Sequence, residues 1–408
     1  MAARAEPSTL PLVHELHSSV ADNFSLTHGG PLYRLQLRLG AAEEQRIRVM
    51  RRALGAVLVA WLPLFLLSAA QGLAFGKHIP IPFILDFAVN VRFLIALPLL
   101  ILSEVGIDHR LRITVNHFLK SGLVKEADLR SFEGVIEHVT RLRDRVLPEM
   151  VILVAAYLPS LSVHGSEILM SSVSSWHLVQ TPSGETLSYA GWWFGLISVP
   201  VYRFLLLRWV WRMFLWSSFL WRVSKLNLVL IPTHPDMAAG IGFLSEAQLR
   251  FGLIAFACGA VVAGQMGNAI AYQGATVGGL KFTIIAYCVV ATLVLAAPLL
   301  LLVPTLLPVK KRGLLEYGAL ATGYTQTFDA KWVHRRPPEG ETLLGSSDIQ
   351  SLADLGNSFA IVRGMRVAPI DKGTLIGLAI AAVLPIAPVL ILGTPADQLI
   401  RTVFKLLA

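Results

Sequence analysis

Long apolar stretches alternate with polar, mostly basic segments along the 408-residue chain. A helix needs about 20 mostly apolar residues to cross the hydrocarbon core of a bilayer. Seven runs reach that length, at 53–75, 80–102, 148–170, 192–215, 251–272, 282–308 and 374–395. The pattern predicts an all-α fold: a polytopic transmembrane helical bundle of about seven spans. The fourth run departs most from the pattern, because arginines interrupt it.

The runs and the segments between them divide the chain into parts. We predict a cytoplasmic N-terminal tail (1–52), spans 1–2 (53–102), a cytoplasmic helical loop (103–147), spans 3–6 (148–308), a second cytoplasmic helical loop (309–373), and span 7 with an outer C-terminal tail (374–408). Hydrophobic residues make up 54% of the chain and charged residues only 15%. Soluble domains carry about 25% charged residues, so composition supports the membrane interpretation.

The distribution of Lys and Arg predicts how the bundle is oriented. Of the 35 basic residues, 27 lie in the segments that share a side with the N-terminus, and four lie in the segments on the other side. Cytoplasmic loops are enriched in Lys and Arg, so we predict a cytoplasmic N-terminus in a cell inner (plasma) membrane. Topology also explains the net charge of +9 without a nucleic-acid partner, and we expect none.

Two of the predicted cytoplasmic segments have helical patterns. In FEGVIEHVTRLRDRV, which begins at Phe132, apolar residues recur at helical spacing and charged residues fill the opposite face. We expect this helix to lie on lipid headgroups or on a sister subunit. Further on, Ser347 and Gln350 fit a capping box that opens a helix through about Val362.

Ionisable residues within the runs are the candidates for function, because charge is costly in hydrocarbon. Asp86 and Arg92 lie six residues apart in the second run, about 120° around the helix, so each needs a partner on another helix. Arg203 is the deepest arginine of the fourth run. Two interpretations stay open: a polar path or anion site lined by Arg92 and Arg203, or an Asp86–Arg203 bridge that fixes packing. We expect Arg208 and Arg212 to reach lipid headgroups.

The fifth run is small and polar at its middle, where Gly264, Gln265, Gly267 and Asn268 occur. Such residues could form the wall of a pore. Small residues also allow helices to pack closely in lipid, with amides bonded across the interface. The sequence favours close packing without excluding the pore.

The segment Pro232–Leu244 is irregular, because its two prolines prevent a regular helix. His234 and Asp236 could form a gate that binds a proton or a cation, since histidine titrates near neutral pH. The alternative is a tight connector between two spans.

Two stretches, PTHPDMAAGIGFLS and LLGSSDIQSLADLGNSF, resemble segments of a group of uncharacterised multi-spanning bacterial inner-membrane proteins. The resemblance extends over most of the chain. It implies a bacterial origin and assigns no activity.

Motifs of enzymes and motors are absent from the sequence: it has no P-loop, no HExxH and no GxSxG. We therefore expect a protein that is not an enzyme and uses no cofactor and no metal ion. The first hypothesis is a channel or transporter for a small ion or solute, with a path along Asp86, Arg92, Arg203, Gln265 and Asn268. The alternative is a membrane scaffold or signalling partner that acts through the cytoplasmic loops. Expected partners are membrane lipids and the small ion or solute; a homo-oligomer is left open.

Overall fold

The computed structural model describes residues 24–38, 46–75, 79–161, 176–181, 184–334 and 347–392. The predicted outer C-terminal tail beyond residue 392, most of the polar N-terminal tail, and the end of the predicted third span at 162–170 lie outside the described residues.

The described chain is almost entirely helical. The α-helices are α1 (Gly30–Arg38), α2 (Arg46–Ala60), α3 (Leu62–Ala70), α4 (Phe87–Val91), α5 (Leu97–Lys120), α6 (Leu129–Arg143), α7 (Val146–Leu161), α8 (Tyr189–Trp193), α9 (Val199–Val223), α10 (Leu244–Arg250), α11 (Gly252–Gln273), α12 (Val277–Leu300), α13 (Val303–Phe328), α14 (Ser347–Gly364), α15 (Lys372–Val383) and α16 (Ala387–Leu392). Single π-helical turns occur at Arg92–Ala96, Phe194–Ser198 and Asp329–Val333, and 3₁₀ turns at Phe83–Leu85, Glu126–Asp128 and Leu384–Ile386.

Within the described residues, six helical stretches are long and apolar enough to cross a membrane. They are Arg48–Ala70, Phe87–Lys120, Tyr189–Val223, Leu244–Gln273, Val277–Leu300 and Lys372–Ile391. They confirm an all-α, multi-pass membrane protein. The predicted third span is described only as far as Leu161, where it forms the shorter apolar helix α7.

The longest stretches extend beyond a bilayer core. Phe87–Lys120 has 34 residues and is therefore about 50 Å long, against a hydrocarbon thickness of about 30 Å. Its far end packs against α6 and α9, where the rings of Phe118, Phe132 and Phe219 meet. The α6 helix matches the predicted amphipathic pattern, but the expected partners of its apolar face, lipid headgroups or a sister subunit, were wrong. This face is buried against α9 of the same chain.

A two-stranded antiparallel hairpin, β1 (Leu178–Thr181) and β2 (Gly184–Leu187), precedes α8. The sequence pattern did not predict these strands. The hairpin lies at the end of the bundle that carries Asp86, because Trp176, just before β1, bonds to that carboxylate. We call this the hairpin end. The opposite end carries the N-terminal segment 24–38, α6 and the loop at 224–243, and we call it the loop end.

Small residues bring α11 close to its neighbours. A Cβ atom on Gly264 would lie 2.8 Å from the carbonyl oxygen of Phe87 and 3.0 Å from the Cα of Ala88, so only glycine fits there. The α11 helix therefore packs directly against α4, and the interpretation of close packing is correct for this face.

Candidate functional site

Three of the six candidate spans line an open cavity of about 310 Å³ near the hairpin end. We call it the arginine cavity. Its lining residues are Arg92, Val199, Tyr202, Arg203, Leu206, Cys258, Val261 and Gln265. Three of the five residues that the sequence placed on a path, Arg92, Arg203 and Gln265, thus line one space.

Both arginine-bearing stretches contain a π-helical turn beside the cavity. Arg92 opens the first, where the Leu97 N–H donates to the Arg92 carbonyl five residues back. The second ends at Ser198, next to Val199, and the Val199 N–H donates to the Phe194 carbonyl. The rings of Phe93 and Phe194 meet edge-on at 6.2 Å, so the two turns pack together. Single π turns are uncommon and concentrate at functional sites.

Arg92 has few partners. Its guanidinium lies 5.8 Å from the centre of the Tyr202 ring, a cation–π distance. Its Nε atom is buried, and no acceptor for it is found in the described part of the chain. Arg203 donates to the Ser160 Oγ of α7 at 3.1 Å. The expected Asp86–Arg203 bridge does not form, because each side chain has other partners.

Asp86 lies at a hydrogen-bonded node just outside the arginine cavity. Its carboxylate accepts from the Val89 N–H at 3.1 Å, from the Trp176 Nε1 at 3.0 Å and from the Asn268 Nδ2 at 2.9 Å. The carbonyl of Asn268 in turn accepts from the Phe87 N–H at 2.9 Å. The node joins α4 to α11 and to Trp176, two residues before β1. These hydrogen bonds compensate for the burial of the carboxylate.

The two amides of α11 therefore differ in their surroundings. Asn268 is half-buried and bonded across the α4 interface, whereas Gln265 is exposed and lines the arginine cavity. Close packing is thus correct for one face of this run, and the pore wall stays a prediction for the other. The Gly264 and Asn268 face packs, and the Gln265 face borders a space.

A network of buried ions that the sequence pattern does not predict lies nearer the loop end. The Glu104 carboxylate lies 2.7 Å from the Arg212 guanidinium and 3.0 Å from that of Arg52. Arg208 is 3.8 Å from the Glu149 carboxylate. We call these five residues the ion network. Arg208 and Arg212 are only 6% and 3% exposed, so the expectation that they reach lipid headgroups was wrong.

One sequence feature could have indicated the network. Arg208 and Arg212 are four residues apart and so share a helix face, and Glu104 and Glu149 lie near the same end of neighbouring runs. An acidic residue at the end of a run costs little if it faces water. Only the packing shows that Glu104 instead faces two arginines.

His234 and Asp236 lie in the connector at the loop end. The Asp236 carboxylate accepts from the backbone N–H groups of Ala238, Gly240 and Gly242 at 2.8 to 3.1 Å, and lies 2.9 Å from the His234 Nδ1. Burial would raise the pKa of Asp236, but these hydrogen bonds outweigh it and hold the pKa below its ordinary value.

This connector has an unusual backbone. Met237 and Ala239 have φ angles of 53° and 56°, in the left-handed region that side chains other than glycine rarely adopt. The Arg366 guanidinium donates to the Asp236 carbonyl at 2.6 Å and ties the connector to the segment after α14. Such strain persists only where surrounding contacts hold it, and it concentrates at functional sites.

A second cavity, of about 480 Å³, borders the connector. His117, His234, Asp236, Glu246 and Arg366 are among its lining residues, and we call it the loop cavity. Glu246 of the loop cavity and Cys258 of the arginine cavity are 12 residues apart on one helical stretch, so the two cavities are separated by about 18 Å where they come nearest along it. Within the described ranges, no three side chains of His, Cys, Asp or Glu gather at distances suited to a metal ion.

Comparisons of the chain with protein-family models, with curated proteins and with solved structures find no match. The function must therefore be argued from the site itself.

Proposed function

We propose that the protein is a membrane transporter for a small solute or ion, which occupies the arginine cavity during transfer. One observation carries the proposal. Two guanidiniums and an amide, from Arg92, Arg203 and Gln265, border one space among membrane-spanning helices. Charged groups inside a membrane are expensive and most often mark substrate or ion pathways.

The packed side chains between the two cavities favour a transporter over a permanently open channel. Along the stretch from Arg92 to His117, the side chains of Phe93, Leu97, Leu100, Ile107, Leu111 and Val115 are at most 1% exposed. A solute therefore needs a rearrangement of packed helices to pass from one cavity to the other. The π turns beside the arginine cavity are suitable positions for such movement, because their backbone hydrogen bonding is already irregular.

We further propose that the connector at His234 and Asp236 is the gate at the loop end. It borders the loop cavity, and its strained backbone is held by a few hydrogen bonds that a change of position would release. The excess of basic residues on the N-terminal side supports a cytoplasmic location for this end, in a bacterial inner membrane.

The test is uptake by liposomes that contain the purified protein, with a panel of small anions, cations and neutral solutes. We expect one class of solute to enter, and Arg92→Gln to reduce its entry while the protein still elutes as a single folded species. Arg250→Gln is the matched control, because Arg250 is exposed at the end of α10, far from the arginine cavity. Failure of every solute in the panel to enter would contradict the proposal.

A scaffold remains the second candidate, and one observation favours it. The α13 helix is not among the six candidate spans, pairs with α14, and exposes Leu315 and Leu320 by 76% and 57%. Exposed leucines on such a helix pair suit contact with another protein or with a second copy of the chain. Cross-linking between cysteines placed at Leu315 would reveal a homo-oligomer, and its absence would count against that partner.

A further inference from the structure

We infer that the arginine cavity is a binding site for an organic anion, with its charged group on Arg92 and Arg203 and its apolar body against the cavity wall. This inference rests on the proposed function, since it names the class of molecule that the site would take. The buried arginines of the ion network, Arg208 and Arg212, provide the comparison.

The ion network and the arginine cavity differ in how closely their arginines approach carboxylates. In the ion network, each of the three arginines lies within 2.7 to 3.8 Å of a carboxylate, that of Glu104 or Glu149. The arginine cavity has two arginines, and none of the described residues that line it is acidic. The nearby carboxylate of Asp86 is already bonded to three N–H donors.

Among the described residues, Asp86 attracts Arg92 without a direct ion pair, and one carboxylate faces two guanidiniums, so the cavity keeps an excess of positive charge. An uncompensated arginine inside a membrane costs about 2.5 to 3.5 kcal/mol even on insertion scales that allow for relaxation. A bound anion removes that cost. The planar guanidinium is also the group that matches carboxylate and phosphate geometry best, through paired N–H donors.

The remaining lining residues define the rest of the ligand. Val199, Leu206 and Val261 give the cavity an apolar wall, and Gln265 adds one amide that can donate a hydrogen bond. At about 310 Å³ the space is at the small end of the range for ligand pockets. A bare inorganic ion would leave the apolar wall unfilled, so a short-chain carboxylate fits better.

The same chemistry, an anionic group joined to an apolar body, could come from water or from the membrane. A soluble carboxylate such as hexanoate would enter from solution. An anionic lipid would present its phosphate from the bilayer. The experiment therefore measures binding of radiolabelled hexanoate to the purified full-length protein in two kinds of nanodisc, one of phosphatidylcholine alone and one that also contains phosphatidylglycerol.

We expect saturable hexanoate binding in phosphatidylcholine nanodiscs. Arg92→Gln or Arg203→Gln should weaken it at least about 10-fold, since a hydrogen bond to a charged group contributes about 1.5 to 3 kcal/mol. Arg92→Lys, which keeps the charge but loses the paired donors, should bind with intermediate affinity. Arg250→Gln should bind like the parent. Weaker hexanoate binding in phosphatidylglycerol nanodiscs would show that the lipid takes the same site, and unchanged binding would identify the soluble source.

Three outcomes would overturn the inference: hexanoate that does not bind to the folded parent protein, binding that survives both Arg→Gln substitutions, or equal binding of butylammonium, a cation with an apolar body. These outcomes are separate from the fate of the transport proposal. Arginine-dependent binding without uptake by liposomes would keep the anion site and refute the transporter. Uptake of a cation that does not depend on Arg92 would keep the transporter and refute the anion site.

Discussion

The ion network provides the sharpest test of how this bundle is held together. Glu104 has a side chain only 8% exposed and pairs with Arg212 and Arg52 at 2.7 and 3.0 Å. Replacing Glu104 with Gln keeps its volume but removes the charge. Three guanidiniums then share the single carboxylate of Glu149, which is 3.8 Å from Arg208.

The expected decrease in the free energy of unfolding follows from the loss of this negative charge. Removing one partner from a buried ion pair leaves the other charge uncompensated and costs about 3 to 5 kcal/mol. We expect the free energy of unfolding of Glu104→Gln to fall by that amount, which corresponds to a decrease in Tm on the order of 3 to 6 °C for a chain of 408 residues. Thermal unfolding of the purified protein in one detergent measures it.

The matched control is Glu137→Gln on α6. Glu137 pairs with Arg141 at 3.4 Å, but both side chains are mostly exposed, at 63% and 75%. Water screens that pair, so its loss should cost about 0.3 to 0.5 kcal/mol. If Glu104→Gln is no less stable than Glu137→Gln, the ion network is not a source of stability. A double substitution of Glu104 and Arg212 by Gln should also cost less than the sum of its two single changes.

Two further predictions concern packing and the connector. Gly264→Ala should lower the free energy of unfolding by about 1 to 3 kcal/mol, because the new methyl group would lie 2.8 Å from the Phe87 carbonyl oxygen. Gly267→Ala should leave it unchanged, because the nearest atom is 3.5 Å away. Thermal unfolding of the two variants measures the difference. Asp236→Asn should cost about 2 kcal/mol above pH 5, since its amide cannot accept three N–H groups as the carboxylate does. Burial would raise the pKa of Asp236, but the hydrogen bonds outweigh it and hold the folded pKa below its ordinary value. The stabilisation is therefore complete above the ordinary pKa of an aspartate and is lost as pH falls through the folded pKa. A difference from the parent that persists unchanged at pH 2 would refute this account.

Much of the fold follows from the sequence, because a membrane imposes a length on its helices. Apolar runs of about 20 residues predict spanning helices whatever their neighbours, and six such helices are found. Amphipathic spacing likewise predicts α6. It cannot name the surface that α6 covers, since the same apolar face suits lipid, a sister subunit or α9.

The candidate site was accessible to sequence reasoning only in part. The cost of charge in hydrocarbon singles out Asp86, Arg92 and Arg203 from the sequence alone. Their partners depend on which helices are adjacent, and periodicity within one helix carries no such information. For that reason the sequence suggests a bridge between Asp86 and Arg203 but not the bonds of Asp86 to Asn268 and Trp176, and it does not place Glu104 between two arginines.

The anchoring of the N-terminal segment has a consequence for the order in which the protein is made. The Asp108 carboxylate accepts from the Ser25 hydroxyl and from the backbone N–H groups of Leu26 and Thr27. The Glu149 carboxylate accepts from the Leu32 N–H. A ribosome therefore synthesises residues 24–32 long before their partners exist. The first of the described residues can make these bonds only after Asp108, 83 residues beyond Ser25, and Glu149, 117 residues beyond Leu32, have been added.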